Sequence, residues 1–233
     1  IDVDSTQARL GNNGSPSALP AGHAGQHPRF NRISAHYLEL APTAWTLLGT
    51  GSILYHAPET TQGGTTAIDF DRSTVITPGS VFLKVPIKDI APGEYEWVRL
   101  SVSYQNYDVT FYYNNNPYPA TLASFVGYNT FIRNFVLKDS SIAINANRLQ
   151  GFWGVETAIS ADTGQAPPGA TTVPNPLFNS SPIPPGSCVV TGQFAEKLKI
   201  TGSENSDINI TLSLSTNNSF EWIDSNANGL WDV

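Results

Sequence analysis

Asp207-Ile-Asn-Ile-Thr-Leu-Ser-Leu-Ser215 alternates apolar and polar residues without a break. Ile208, Ile210, Leu212 and Leu214 fall on one face of an extended chain, with Asn209, Thr211 and Ser213 on the other. Successive side chains of a strand point to opposite faces, so a period of two marks a half-buried antiparallel strand. The same reading places Val81, Leu83, Val85 and Ile87 inward along Val81–Ile87. Glu96–Tyr104 groups Val98, Leu100, Val102 and Tyr104, and Ser141–Asn147 groups Ile142, Ile144 and Ala146. Further candidate strands are Ile33–Leu40, Ser52–Tyr55, Val109–Tyr113, Thr121–Val126, Phe131–Leu137, Phe152–Ile159, Cys188–Phe194 and Glu196–Thr201. Helical periodicity is missing. Turn chemistry punctuates the runs, as at Thr77-Pro78-Gly79, Ala91-Pro92-Gly93 and Asn114-Asn115-Asn116-Pro117. About twelve strands exceed a seven-stranded immunoglobulin domain. The expectation is an all-β fold: an enlarged antiparallel β-sandwich, immunoglobulin-like or jelly-roll-like, with long Pro-rich loops.

Composition fits that picture. Of 233 residues, 40% are hydrophobic and 13% charged, where a soluble domain carries roughly 25% charged residues. Polar uncharged residues fill the deficit, with 19 Asn and 21 Thr. There is enough apolar surface for one large core, which excludes wholesale disorder. The expected organisation is a single sandwich domain over residues 1–223, with 7–32 and 160–187 as long ordered loops and 224–233 as a C-terminal calcium-type loop. The second of these loops holds seven of the 17 prolines, yet Val173, Leu177, Phe178 and Ile183 predict that it wraps over the sandwich. A net charge of −7 with only 12 Lys and Arg excludes a nucleic-acid partner, because phosphate neutralisation needs clustered cations. No run of about 18 apolar residues exists to make a transmembrane segment. A lone Cys188 excludes a disulfide framework. Low charge, a first residue Ile1 and no methionine read as an exported chain whose signal peptide was cleaved, destined for the extracellular or outer-membrane surface.

The sharpest motif is Asp224-Ser-Asn226-Ala-Asn228-Gly229-Leu-Trp-Asp232, which follows D-x-[DN]-x-[DN]-G. Alternate side-chain oxygens converge on a hard cation, and the glycine permits a sharp turn. Asp224, Asn226, Asn228, the Leu230 carbonyl and Asp232 are therefore the candidate calcium ligands. Over the ten residues 224–233 the loop resembles those of dockerin modules and type 3 thrombospondin repeats. All four histidines, His23, His27, His36 and His56, lie in the first quarter of the chain. His23, His27, His36 and Glu39 are candidate ligands for copper or zinc, although their spacing matches no standard pattern. Tyr104, Tyr107, Tyr112 and Tyr113 are candidate stacking partners for a glycan; in a sandwich most such rings are core. Glu94, Glu96 and Glu156 could form a glycosidase pair only if two of them met across a cleft. Gly49-Thr-Gly51 stops short of a phosphate-binding loop, and Cys188 opens an apolar strand as a buried, inert thiol.

Five stretches stand out together: Arg32-Ile-Ser-Ala-His-Tyr-Leu-Glu-Leu40, Tyr95-Glu-Trp-Val-Arg-Leu100, Tyr104-Gln-Asn-Tyr107, Leu149-Gln-Gly-Phe-Trp-Gly154 and Leu214-Ser-Thr-Asn-Asn-Ser-Phe-Glu-Trp222. Through them the chain resembles an uncharacterised family of secreted surface proteins and lipoproteins of Bacteroidota. A fainter likeness, through the Ile33–Leu40 strand and the Pro92–Tyr95 hairpin, is to periplasmic copper-binding proteins associated with methanobactin operons. No catalytic signature is present, so the expected function is a non-catalytic structural or adhesive surface protein with a calcium-stabilised C-terminus. The alternative is a glycan-binding or copper- or zinc-binding surface module. Ile1-Asp2-Val3-Asp4 alternates like a tethered strand. Such a strand closes its own sheet, or joins other surface proteins or copies of itself into a filament.

Overall fold

The computed structural model describes residues 1–10, 16–167 and 181–233. Sixteen strands run through them. The first eight are β1 Asp2–Asp4, β2 His23–Gln26, β3 Arg29–Ala41, β4 Ser52–His56, β5 Glu59–Thr60, β6 Ala67–Asp69, β7 Val75–Ile76 and β8 Gly93–Tyr113. The rest are β9 Asn116–Phe125, β10 Asn129–Val136, β11 Ser141–Leu149, β12 Phe152–Glu156, β13 Ala161–Gln165, β14 Cys188–Ile200, β15 Ser213–Ser215 and β16 Phe220–Ile223.

The chain is an all-β enlarged sandwich. Its main sheet runs β13-β12-β9-β8-β3-β4, with β14 paired to β8 and β7 to β3. The spine is β8, where two expected strands fuse into one of 21 residues. On one edge it pairs with β3; on the other it takes β14 along its first half and β9 along its second. Asn114 and Asn115, both at positive φ, turn the chain back from β8 into β9, and asparagine tolerates that conformation better than most residues. A second sheet, β11-β10-β6-β5, packs on the main one. Tyr104, Ala123, Phe125 and Phe152 from the main sheet meet Ile132 and Phe135 from the second, in a cluster of near-perpendicular aromatic contacts. The opposite face of β8 and β9 presents Tyr107, Val109, Ala120 and Leu122. Phe220 of β16 and Trp231 of the C-terminal tail cover it.

Two bulges place the functional residues. Across the β3–β8 ladder Ala35 pairs with Val102 and Tyr37 with Ser101, leaving His36 as an extra residue on β3. Ser34 pairs with Tyr104, so Ser103 is the extra residue on β8. A bulge shifts the phase of alternation. Accordingly Ile33 and Ala35 before it, and Leu38 and Leu40 after it, all face the same core cluster.

Several expectations change. Val81–Ile87 is not a strand: Val81 is 67% exposed, while Leu83, Val85 and Ile87 lie half-buried against the core as an irregular cover. Pro86 lacks the N–H that a ladder needs. In Asp207–Ser215 only the last three residues form a strand, β15, and Ile208 and Ile210 are exposed. The 7–32 stretch contains β2, paired with β16, and the start of β3. The 160–187 stretch contains β13, paired with β12; Val173, Leu177 and Phe178 lie outside the described residues, and Ile183 is buried. Strand β1 pairs in parallel with β15 of the same chain. No helix is long and apolar enough to cross a membrane among the described residues.

Candidate metal centre

Among the described residues, one group of three His, Cys, Asp or Glu side chains brings its donor atoms within 4.8 Å of one another: His36, His56 and Glu59. They stand where the chain leaves the main sheet for the second one. His36 lies at the β3 bulge, where its carbonyl accepts the Ala57 N–H at 2.7 Å. His56 ends β4 opposite Tyr37. Ala57-Pro58 then turns the chain so that Glu59 opens β5, paired with Ile68 of β6. Tyr128 arrives from the β9–β10 connection. Val126 N and Gly127 N both donate to the carbonyl of the bulged Ser103, at 2.9 and 3.1 Å, and this steers Tyr128 towards Glu59.

Glu59 Oε1 lies 3.0 Å from His36 Nε2, 3.2 Å from His56 Nε2 and 3.3 Å from the Tyr128 hydroxyl. The His36 bond above all, then the His56 bond, outweigh partial burial and hold the Glu59 carboxyl down at about 2. An ionised carboxylate only accepts, so each Nε2 donates to it. Burial lowers the His36 pKa, since the charged ring loses its hydration. His36 is wholly buried, and its Nδ1 has no hydrogen-bond partner. The His56 side chain is 43% exposed and opens the site to solvent. Rings fix the imidazoles: Tyr37 stacks on His56 with centroids 4.3 Å apart, and Tyr128 stacks on His36 at 5.3 Å. Burial and the Glu59 charge push the hydroxyls of Tyr37 and Tyr128 upward. Two imidazoles and a carboxylate with open positions suit zinc, iron, copper or nickel.

Only His36 of the expected transition-metal set belongs here. His23 Nδ1 bonds Glu221 Oε1 at 2.6 Å, and Arg9 pairs with the other Glu221 oxygen. His27 Nδ1 accepts the Asn218 N–H at 2.8 Å. Glu39 is buried with Arg99 and accepts N–H groups from Gly49 and Gly51. His56 is one of the four histidines grouped in the first quarter of the chain, but neither it nor Glu59 stands near His36 along the sequence, so the candidate ligand set holds neither. The spacing His56-Ala-Pro-Glu59, a histidine and a carboxylate flanking a proline turn, was the available signal.

In the 224–232 loop the Asn228 and Gly229 N–H groups donate to the Asp224 carboxylate, at 3.2 and 2.8 Å. The amides of Asn226 and Asn228 both donate to Asp232 Oδ2, and the Leu230 carbonyl accepts the Trp222 indole N–H. Every expected ligand is thus tied within the loop or to β16. Tyr104 and Tyr107 are buried core rings, which removes them as glycan platforms; Tyr113 is exposed and Tyr112 half-buried. Glu156 caps the backbone N–H groups of Lys138, Asp139 and Ser140, while Glu94 and Glu96 pair with Lys199 and Lys197. Half-buried Cys188 has its thiol pushed up to about 11 by burial, which disfavours the reactive thiolate. No family model, curated protein or solved structure matches the chain.

Proposed function

We propose that the protein is a non-catalytic, exported β-sandwich that holds a divalent transition-metal ion on His36, His56 and Glu59. The observation that carries this reading is the convergence of three donor atoms within 4.8 Å, one from a wholly buried ring and one from a partly exposed ring. The buried side fixes the donors, and the exposed side admits the ion. Metal competes with protons for these atoms, because each Nε2 must give up its hydrogen to bind.

Calorimetric titration of chelator-treated protein with zinc, copper(II), nickel and cobalt(II), followed by metal analysis, tests the proposal. One ion per chain is expected. Glu59→Gln should weaken binding by at least about 100-fold, since loss of even an outer-shell partner of a ligand costs roughly 10–100-fold. His56→Ala, at a partly exposed position, should do at least as much without unfolding the core. Absence of stoichiometric binding to wild-type protein by all four ions would refute it.

A further inference from the structure

We infer that Tyr128 is the fourth ligand, bound as a phenolate, so that the centre is a four-donor N2O2 site. The inference rests on the metal-binding reading above and extends it to a residue outside the His–His–Glu group. A fourth donor atom, the Tyr128 oxygen, lies about as near to Glu59 Oε1 as the two imidazole nitrogens do. Glu59 Oε1 stands 3.0, 3.2 and 3.3 Å from His36 Nε2, His56 Nε2 and the Tyr128 oxygen. A tetrahedron with metal–ligand bonds of about 2.0–2.1 Å has edges of about 3.3–3.4 Å. The three separations measured from Glu59 are therefore close to the edges of such a figure, with the carboxylate oxygen at one corner.

Charge supports the same assignment. Two neutral imidazoles and one carboxylate leave a divalent ion with one uncompensated positive charge. One donor of the set is wholly buried, and burying net charge is costly. A phenolate brings the site to neutrality. As the metal–oxygen bond forms, the phenol O–H breaks and its proton passes to solvent past the exposed side of His56. Tyr128 is also held in place before any ion arrives, by its stacking on His36 and by the two backbone bonds to Ser103 that precede it. Tyr37 differs: its ring stacks on His56, but its hydroxyl donates to the Pro182 carbonyl at 3.3 Å.

Copper(II) is the probe, because it stands highest in the affinity order for nitrogen and oxygen donors and a phenolate bound to it absorbs visible light. The metal-free full chain is titrated with copper(II) while binding is followed by calorimetry, visible absorption and resonance Raman scattering. The expected result is one bound ion with a phenolate-to-copper band and enhanced phenolate ring modes. Tyr128→Phe should retain one bound ion and lose both signals, and Tyr37→Phe should keep both. Bound copper without the band, or a band that survives Tyr128→Phe, overturns the assignment and leaves the three-ligand site standing. Wild-type protein that binds no ion overturns the metal site and this assignment together.

Discussion

Glu39 and Arg99 are a charged pair sunk into the main sheet. Glu39 is wholly buried, with Gly51 N at 2.6 Å, Gly49 N at 3.1 Å and Arg99 Nη1 at 3.6 Å, while Arg99 Nη2 donates to the Thr46 carbonyl at 2.6 Å. Removing one member of a buried pair leaves the other charge without compensation, at a cost of about 3–5 kcal/mol. Glu39→Ala should therefore lower unfolding free energy by about that amount in chemical denaturation; a change within ordinary surface-mutation scatter would refute the account. Gly51 is part of the same device. A Cβ there would run into the Leu40 carbonyl and the Glu39 carboxylate. The sequence marks Gly49-Thr-Gly51 as too short for a phosphate loop and Glu39 as a candidate metal ligand; the structure instead joins them, the Glu39 carboxylate accepting the Gly49 and Gly51 N–H groups. Their meaning was hidden because the pairing that joins residue 39 to residues 49, 51 and 99 follows from sheet register.

Among the elements, the most regular pattern in the sequence yields only a three-residue strand. Asp207–Leu212 alternates perfectly, yet Ile208 and Ile210 are exposed and only Ser213–Ser215 forms a ladder, with β1. Alternation specifies which side chains share a face; it does not supply a neighbouring backbone, and a strand without neighbours is marginal. The opposite lesson comes from β3. Its apolar residues shift from odd to even positions between Ala35 and Leu38, a phase slip visible in the sequence that marks the bulge at His36 and with it one of the three converging side chains. The calcium expectation belongs to this scale as well. Asn226 and Asn228 now aim amide nitrogens at Asp232, so an ion must turn their oxygens inward. At calcium 100-fold above the dissociation constant, mass action adds about 2.7 kcal/mol, a rise in melting temperature of about 5–10 °C. Thermal scans with calcium and with chelator should differ by that much, and Asp224→Ala should abolish the difference. Superimposable wild-type scans would exclude the loop as a calcium site.

For the whole molecule, acid should be more damaging than its modest charge suggests. His36 has its pKa lowered by burial, and Glu59 is held at about 2 chiefly by the His36 bond. Both groups bind fewer protons folded than unfolded, so their contribution is complete above about pH 6.5, the ordinary histidine value. It declines as pH falls, first through the His36 range and then towards that of Glu59. Denaturation midpoints of metal-free protein should fall between pH 7.5 and pH 4, and less steeply in His36→Gln, which removes both the buried imidazole and the bond that chiefly depresses Glu59; parallel curves would contradict this coupling. The sandwich class was legible from strand period and turns. Sheet order was not, because pairings such as β6 with β10 join residues some sixty positions apart and in parallel. The parallel pairing of β1 with β15 has a mechanical consequence. Asp2 N bonds the Leu212 carbonyl at 2.7 Å, and Thr216 N bonds the Asp4 carbonyl at 3.1 Å. Traction on residue 1 against residue 216 would drag these two strands past each other lengthwise. Their bonds would then bear the load together, in shear, and would not open one by one like a zip.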